Sequence, residues 1–443
     1  MSKKRAEARA ARRARARADR ERRRDPARAL VSVMMLFFFS AFLLISLQGE
    51  LQWQGFALAA VVPMLIYIST LWLPRFFPAD KLLLAIANFL CALGVLVLYS
   101  TDRGAGTSRG MQQAMYYGVG IVAMLTCIMI IRYIRRWKFL MKVVMLGAGA
   151  LMVLPLAIGT EQNGATNWIV IGGTSLQPSE MVKIALLLIQ GWYMSQHRFW
   201  PWFLFAGFSL LVLMLQKDLG TALIYYITTL LLFYANTGNL ALTGLGVLGG
   251  CGAAVLGYQM FAHVKKRVAI WQNPWIYYET SGYQIAQTLM AIASGGLFGV
   301  GLGLGAPRVI PVYFTDCIFA VICEQFGIIF GVLVLVMYVI LILRGASIAQ
   351  ASRHSFHAII AMGATVMLGV QTFIIIGGVL KMIPLTGVTM PFVSYGGTSL
   401  VSCMGLIGLI QGVASVNQDD LSYDYDISRS QREESLLPEA ERY

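Results

Sequence analysis

The residues best suited to chemistry in this sequence are the few charged side chains inside or beside long apolar stretches. Of the 443 residues, 58% are hydrophobic and only 13% are charged, whereas soluble domains carry about 25% charged residues. A charge within a membrane-length apolar stretch is costly, so it usually marks a functional position. The candidates are Glu180, Lys183, Asp218, Asp316, Glu324 and Lys381.

Asp316 is the sharpest candidate because it stands just before an apolar run that begins at Ile318. A carboxylate at the mouth of a helical bundle, beside hydrophobic walls, can have a raised pKa and act as a general base. Capping of the following helix, by Asp316 or by Thr315, is the alternative, and composition alone favours capping.

Two further sites are open to more than one interpretation. Glu180 and Lys183 lie three residues apart on a predicted helix and therefore share a face. They form either a structural ion pair inside the bundle or part of a polar cavity. Asp218 precedes a predicted helix start at Leu219, where capping or pairing is favoured.

The elements that must position these residues are membrane-spanning helices. Uncharged apolar stretches recur along the chain, each long enough for a helix to cross the ~30 Å hydrocarbon core. The composition therefore predicts an all-α, polytopic transmembrane helical bundle of about 12 helices. The predicted spans are residues 30–48, 56–73, 82–100, 114–131, 142–158, 179–195, 201–216, 219–236, 239–261, 319–343, 357–377 and 398–416.

Charge near the termini predicts the orientation of the bundle. Residues 1–29 hold thirteen Lys or Arg against four acids, which predicts a basic cytoplasmic arm facing anionic membrane lipids and no nucleic-acid partner. A basic amino terminus and an even number of spans place both termini of this multi-pass membrane protein in the cytoplasm. The tail, 417–443, holds eight acids against three Arg, and we expect it to be mobile.

Two loops on the predicted outer side are longer than the rest, at 159–178 and 262–318. The second is rich in aromatic residues, which does not suit disorder, and we expect it to fold against the membrane surface as a lid or partner platform. The chain has no nucleotide-binding signature, so if it is an enzyme, we expect its substrate to arrive already activated, through the membrane. No metal site is predicted from the residue spacing.

Several blocks of the sequence resemble the SEDS family (shape, elongation, division and sporulation). They are GATNWIVIGGTSLQPSEMVK (164–183), QKDLGTA (216–222), WQNPWIYYETSGYQIAQTLMAIASGGLFGVGLGLG (271–305), IPVYFTDCIFAVICEQFG (310–327) and GGVLKMIPLTGVTMPFVSYGGTSL (377–400). The resemblance implies a ten-helix core over 82–416, preceded by two additional N-terminal helices within 30–81. It also implies a large extracellular loop at 262–318.

The resemblance implies a peptidoglycan glycosyltransferase that polymerises lipid II and releases undecaprenyl pyrophosphate. The family's essential acid lies in a motif that here reads Thr315-Asp316-Cys317-Ile318-Phe319-Ala320, so the catalytic role carries over to Asp316. No cofactor is certain, although a divalent cation (Mg or Mn) would suit a departing pyrophosphate. The expected substrate-binding residues are Lys183, Glu180, Trp168, Gln177, Asp218, Gln284, Gln287, Ser394 and Tyr395.

The same resemblance implies a class B penicillin-binding protein as partner, together with divisome or elongasome components. A lipid II flippase and a non-catalytic scaffold of the cell-wall machinery are the alternatives. The chain departs from the family near Trp168, where Thr166 and Asn167 replace a usual arginine, and at Lys217, where proline is usual. Looser candidates for phosphate contacts are Lys265, Lys266, Arg267 and Arg308.

Overall fold

Helices make up almost the whole structure. The computed structural model describes residues 26–48, 52–102, 108–134, 137–162, 165–172 and 174–435. The helices are α1 (Pro26–Leu47), α2 (Trp53–Tyr67), α3 (Lys81–Asp102), α4 (Arg109–Tyr133), α5 (Trp137–Ile158), α6 (Pro178–Ser195), α7 (Phe199–Leu215), α8 (Leu219–Thr237), α9 (Leu240–Met260), α10 (Ala262–Gln272), α11 (Tyr283–Gly295), α12 (Ile318–Gln350), α13 (Ser355–Val379) and α14 (Gly397–Ser435).

The predicted class, a polytopic helical bundle, is confirmed. Each predicted span overlaps one helix, from α1 to α9 and from α12 to α14. Among the described residues, ten helices are long and apolar enough to cross a membrane, and α6 and α7 are not among these ten. The count of twelve crossing helices therefore stays a prediction.

The centre of the bundle is formed by α3, α13 and α14, whose apolar windows are largely buried, whereas α9 buries none of its window. Small residues let the central helices pack closely. On α14, a Cβ at Gly408 would lie 2.4 Å from the Met124 carbonyl oxygen of α4, and one at Gly412 would lie 2.8 Å from Ile131. These glycines bring α4 and α14 into direct backbone contact.

A break at Gly327 divides α12 into a short buried helix and a longer one. The glycine-rich segment 295–303 passes beside this break. Its backbone forms hydrogen bonds with the N–H and C=O groups that have no helical partner at the break. Val300 N donates to Glu324 O at 2.9 Å, and Ile328 N donates to Gly296 O at 2.9 Å. Positive φ values at Gly299 (82°) and Gly327 (88°) make glycine necessary at both positions. The glycine run therefore fixes the short helix that follows Asp316.

Two segments that were expected as loops contain regular secondary structure. Residues 159–178, expected as a loop, contain an antiparallel sheet of β1 (Thr160–Gln162), β2 (Ala165–Ile171) and β3 (Thr174–Leu176). Residues 262–318, which were expected to fold as a lid or platform, contain α10 and α11, of which α11 buries Ile285, Ala286 and Ala291. Their position outside the membrane stays a prediction.

The predicted boundaries at both ends of the chain are also shifted. Residues 26–29, which were assigned to the basic arm, already belong to helix α1 (Pro26–Leu47). Helix α14 continues into the tail expected to be mobile. Arg132 of α4 pairs with Asp419 at 3.0 Å, and Arg353, in the connection between α12 and α13, pairs with Asp424 of the extension.

Replacing Gly299 by alanine should destabilise the bundle by more than about 1 kcal/mol, because alanine is strained at positive φ and its Cβ would lie 2.3 Å from the Gln325 carbonyl oxygen. The thermal midpoint of the purified protein in detergent measures this. The control is Gly244→Ala on α9, where a Cβ meets no atom within 4 Å. Equal midpoints for the two variants would contradict this packing.

Candidate functional site

Three parts of the chain meet at one end of the bundle and bring an acid and a cation together. Asp316 stands before α12, Arg267 lies on α10, and Gly387 lies in the segment between α13 and α14. A Cβ placed on Gly387 would lie 3.6 Å from Asp316 Oδ2 and 3.7 Å from Arg267 Nη2. Arg267 Nη1 donates to the Thr386 carbonyl oxygen at 3.0 Å. Both charged groups therefore lie beside Gly387, where the φ of 75° favours glycine.

The electrostatics of Asp316 suit a base that works near neutral pH. Burial raises the pKa of Asp316 to about 6, against the opposing effects of a hydrogen bond from Thr315 and the charge of Arg267. Among the ion pairs of the described residues, none involves Asp316. The half-buried carboxylate is therefore not neutralised by direct contact with a cation.

The segment that carries Asp316 is tied to the segment before α14. Ser394 Oγ donates to the Thr315 carbonyl oxygen at 2.5 Å, and Tyr395 N donates to the Phe314 carbonyl oxygen at 2.8 Å. Ser394 and Tyr395 were expected to bind substrate, and the structure places them as supports of the Asp316 backbone. Direct contact of either side chain with substrate stays a prediction.

Asp218 lies near the same cluster, and its carboxylate is saturated with hydrogen bonds. Oδ1 accepts from Thr221 N at 3.1 Å, so the capping interpretation is confirmed. Oδ2 accepts from the side-chain amides of Asn167 at 2.6 Å and Gln177 at 3.0 Å. Asp218 therefore fixes the sheet to the start of α8.

Cations gather around the two acids. The charges of Asp316 and Asp218 both raise the pKa of Arg267, although burial lowers it more strongly. Burial lowers the pKa of His263, and the charges of Arg267 and Lys217 lower it further. Lys217 is exposed at φ 60°, a strained conformation for a non-glycine residue. The cluster thus places three cationic or titratable side chains beside Asp316 and Asp218.

Three polar atoms around this cluster have no hydrogen-bond partner in the described part of the chain. They are Asn167 Oδ1, His263 Nε2 and Thr386 Oγ1. Buried polar atoms without partners are rare in folded proteins. Thr386 Oγ1 can donate to a ligand oxygen, whereas Asn167 Oδ1 can only accept, so these atoms suit a polar ligand that offers both acceptors and donors.

Glu180 and Lys183 form a separate, sealed network deeper in the bundle. Lys183 Nζ lies 2.9 Å from both Glu180 carboxylate oxygens and donates to Gln371 Oε1 at 2.9 Å. Ser402 Oγ donates to Glu180 Oε2 at 2.7 Å, and Lys183 is 0% exposed. Glu180 and Lys183 therefore have the geometry of a structural ion pair. That either residue binds substrate stays a prediction.

The remaining predicted residues lie around the cluster. Gln284 Nε2 donates to Cys317 Sγ at 3.5 Å, next to Asp316, whereas Gln287 Nε2 donates to the Tyr278 hydroxyl at 2.9 Å. Trp168 pairs with Thr160 in the sheet and is partly exposed. Their contacts with substrate also remain predictions.

The sequence analysis named Arg267 only as a looser candidate and did not assign His263, Asn167 or Thr386 to a site. No short-range spacing links these residues to Asp316, because they come from α10, β2 and the segment before α14. Thr386 lies within residues 377–400, one of the blocks that resemble the SEDS family, and this was the only indication from the sequence that it belongs to a site.

The donor set does not suit a resident divalent cation. Within the described ranges, no group of three or more His, Cys, Asp or Glu side chains could hold a metal ion. Hard cations such as Mg²⁺ need free carboxylate or carbonyl oxygens. The Asp218 carboxylate oxygens already accept hydrogen bonds from three N–H donors. The positive charge of Arg267 interacts with both Asp218 and Asp316, where it would compete with a metal ion.

Comparisons with known proteins point to one family. Residues 80–419 match the FtsW/RodA/SpoVE cell cycle protein family. The peptidoglycan glycosyltransferase RodA of Mycobacterium leprae is 33% identical over 375 residues, covering 77% of this chain and 79% of that protein. Stage V sporulation protein E of Bacillus subtilis is 32% identical, covering 76% and 96% of the two chains.

Solved structures give the same relationship. A chain from a peptidoglycan synthase complex that coordinates polymerization and crosslinking is similar with a TM-score of 0.64 and 26% identity, covering 77% of this chain and 98% of that chain. The rod shape determining protein RodA of Thermus thermophilus is similar with a TM-score of 0.56 and 25% identity, with the same coverage.

Replacing Lys183 by methionine should destabilise the protein by roughly 3–5 kcal/mol, because it leaves the buried Glu180 carboxylate without its cation. The thermal midpoint in detergent measures the loss. The matched control is the double variant Glu180→Gln/Lys183→Met, which removes both charges and should recover most of the midpoint. A wild-type midpoint for Lys183→Met alone would rule out the structural ion pair.

Proposed function

This chain belongs to the FtsW/RodA/SpoVE family, and from that premise we propose that it is a multi-pass membrane glycosyltransferase that polymerises peptidoglycan with Asp316 as general base. Its relative in M. leprae is named a peptidoglycan glycosyltransferase. The observation that carries the residue assignment is the half-buried carboxylate of Asp316, whose pKa is raised to about 6 and which makes no direct ion pair within the described residues.

The proposed reaction joins two molecules of lipid II. The 4-hydroxyl of the acceptor sugar attacks the anomeric carbon of the donor, and Asp316 takes the hydroxyl proton. A new glycosidic C–O bond forms as the bond from the anomeric carbon to the pyrophosphate breaks, and the electron pair leaves with undecaprenyl pyrophosphate. Because the leaving group is already good, positioning and one base supply most of the catalysis.

The neighbouring cations suit the departing pyrophosphate. Arg267 holds its guanidinium beside the space in front of Asp316, and a planar guanidinium can bind phosphate oxygens in pairs. Lys217 adds a second charge that, like Arg267, acts on His263. Fixed cations near a developing negative charge stabilise the transition state. Lys217 thereby takes over part of the role of the arginine that the family usually carries near Trp168.

A divalent cation is not held by this cluster in our proposal, since the Asp218 oxygens are already occupied by N–H donors. If Mg or Mn takes part, it arrives bound to the pyrophosphate of the substrate.

Translocation of lipid II is less favoured, because Glu180, Lys183 and Asp218 form hydrogen bonds with fixed protein partners instead of facing an open path.

We also propose a crosslinking partner of the class B penicillin-binding type. The solved relative comes from a complex that coordinates polymerization with crosslinking, and glycan strands made at one site need a crosslinking activity nearby. The proposed orientation places both termini in the cytoplasm and Asp316 on the outer side, where such a partner would act.

Replacing Asp316 by asparagine should lower the rate of lipid II polymerisation at least about 100-fold, which is the lower range for loss of a general base. Purified protein in detergent, with lipid II as substrate, provides the assay, and the thermal midpoint reports folding. The control is Glu161→Gln, an exposed acid of β1, which should polymerise normally. A folded Asp316→Asn variant that works at the wild-type rate would refute this assignment.

The activity should rise as the pH passes through about 6, because the base works only when ionised and burial raises its pKa to about that value. The charge of Arg267 lowers the pKa of Asp316, so Arg267→Gln should move the midpoint of the kcat/KM profile to higher pH. Lys265→Gln, an exposed charge on the same helix, should leave the midpoint in place. A midpoint in Arg267→Gln that stays fixed or moves to lower pH would contradict the proposed coupling.

A further inference from the structure

Gln371 of α13 lies between the buried ion pair and the candidate functional site, and its side chain is 0% exposed. Its Oε1 atom accepts a hydrogen bond from Lys183 Nζ at 2.9 Å, and its Nε2 atom donates to the Thr389 carbonyl oxygen at 2.8 Å. Thr389 belongs to the segment between α13 and α14 and lies two residues after Gly387. Gln371 therefore makes one hydrogen bond to the ion pair and another to the segment that borders the site.

The chemistry of these two partners explains why an amide stands between them. A lysine ammonium only donates hydrogen bonds, and a backbone carbonyl oxygen only accepts them. Lys183 Nζ lies 2.9 Å from both carboxylate oxygens of Glu180, so Gln371 supplies its third acceptor. The glutamine amide carries an acceptor and a donor on separate atoms, and it satisfies both partners in a single orientation.

The same network reaches Thr389 a second time, through α14. Ser402 Oγ donates to Glu180 Oε2 at 2.7 Å, and Ser399 Oγ of the same helix lies 2.6 Å from Thr389 Oγ1. Ser399 and Ser402 are both buried. A buried polar group that loses its partner pays its full desolvation cost, so a paired network of this kind is rigid. Thr389 is therefore held at its backbone and at its side chain.

Thr389 stands in the middle of the segment that holds both the cation and the candidate base. Three residues earlier, the Thr386 carbonyl oxygen accepts a hydrogen bond from Arg267 Nη1 at 3.0 Å. Five residues later, Ser394 Oγ donates to the carbonyl oxygen of Thr315, which directly precedes the base. A displacement of Thr389 would therefore move the guanidinium relative to the carboxylate.

We propose that Gln371 is a positioning residue, which fixes residues 386–389 and thereby holds Arg267 in place beside Asp316. This inference rests on the proposed role of Asp316 as the base. It gives the buried ion pair a function that requires no contact with substrate, because the pair anchors the amide that holds the segment.

The matched control for Gln371 is Gln411 of α14. Gln411 is also 0% exposed, and its amide also makes two hydrogen bonds, with Asp80 N at 2.9 Å and with Asp80 O at 2.8 Å. Asp80 precedes α3, whereas the opposite end of α3, at Asp102, pairs with Arg109 near the candidate site. Gln371→Met and Gln411→Met therefore each remove a doubly bonded, buried amide, at different ends of the bundle, and neither adds a charge.

Hydrogen exchange of backbone amides measures the positioning without relying on activity. In Gln371→Met, residues 390–395 should exchange roughly fivefold faster, the factor expected for the loss of one hydrogen bond. Ser394 N and Tyr395 N report this change because both are hydrogen-bonded in the wild type. Gln411→Met should leave the exchange of these amides unchanged. Unchanged exchange in Gln371→Met, or the same increase in both variants, would overturn the proposal whether or not the protein polymerises lipid II.

The pH profile of polymerisation measures the effect on the base. Arg267 lowers the pKa of Asp316, so its displacement in Gln371→Met should move the midpoint of the kcat/KM profile to higher pH, by no more than Arg267→Gln does. The maximal kcat/KM should fall about 10- to 100-fold. Both glutamine variants should lose thermal stability, but Gln411→Met should keep the wild-type midpoint of the pH profile. A fixed midpoint in Gln371→Met would overturn the proposal, whereas failure of the proposed function would appear separately, as normal polymerisation by Asp316→Asn.

If Gln371→Met does not fold, Gln371→Glu provides the test, because it keeps an acceptor for Lys183 and loses only the donor to Thr389. Since its new charge can also act on Asp316 directly, the variant is measured both alone and together with Arg267→Gln. A shift of the midpoint that acts through Arg267 disappears in the double variant, whereas a direct effect of the charge persists. Persistence of the full shift would overturn the proposal.

Discussion

A charge inside a lipid-embedded bundle is stable only if protein groups replace the water that it loses, and this constraint organises the polar residues of the structure. Lys183 and Glu180 satisfy each other together with Gln371 and Ser402. Asp218 is satisfied by one backbone amide and two side-chain amides. Asp316 differs, because its nearest cation acts on it without a direct ion pair in the described chain. Glu180 and Asp218 therefore serve the fold, whereas Asp316 has no cation in direct contact among the described residues, which is why we propose it as the base.

The backbone around Asp316 is fixed from both sides. Ser394 and Tyr395 hold the preceding residues through Thr315 and Phe314. After Asp316, the short first part of α12 ends at the Gly327 break, where the glycine-rich segment pairs with the freed backbone groups. A base that must meet a sugar hydroxyl needs this rigidity, because small displacements from the reactive geometry reduce the rate strongly.

Hydropathy predicted the helices, and the motif predicted the candidate base. Both predictions were possible because each depends only on residues that are close together in the sequence. Long apolar runs identify helices wherever they pack, and the motif around Asp316 is contiguous. Arg267 could not be ranked above Lys265 or Arg308 from the sequence, because only the packing of α10 brings it to Gly387. The sheet at 160–176 was missed because its strands are short and bounded by glycines. The helical tail was missed because its ion pairs with Arg132 and Arg353 join distant segments.

The central claim is that Asp316 accepts a proton from an acceptor sugar in the space that it shares with Arg267. A structure of the protein with a lipid-linked disaccharide bound measures this directly. The account predicts a sugar hydroxyl within about 3 Å of an Asp316 carboxylate oxygen, with the pyrophosphate beside Arg267. Sugars bound at the opposite end of the bundle, or separated from Asp316 by protein, would contradict it.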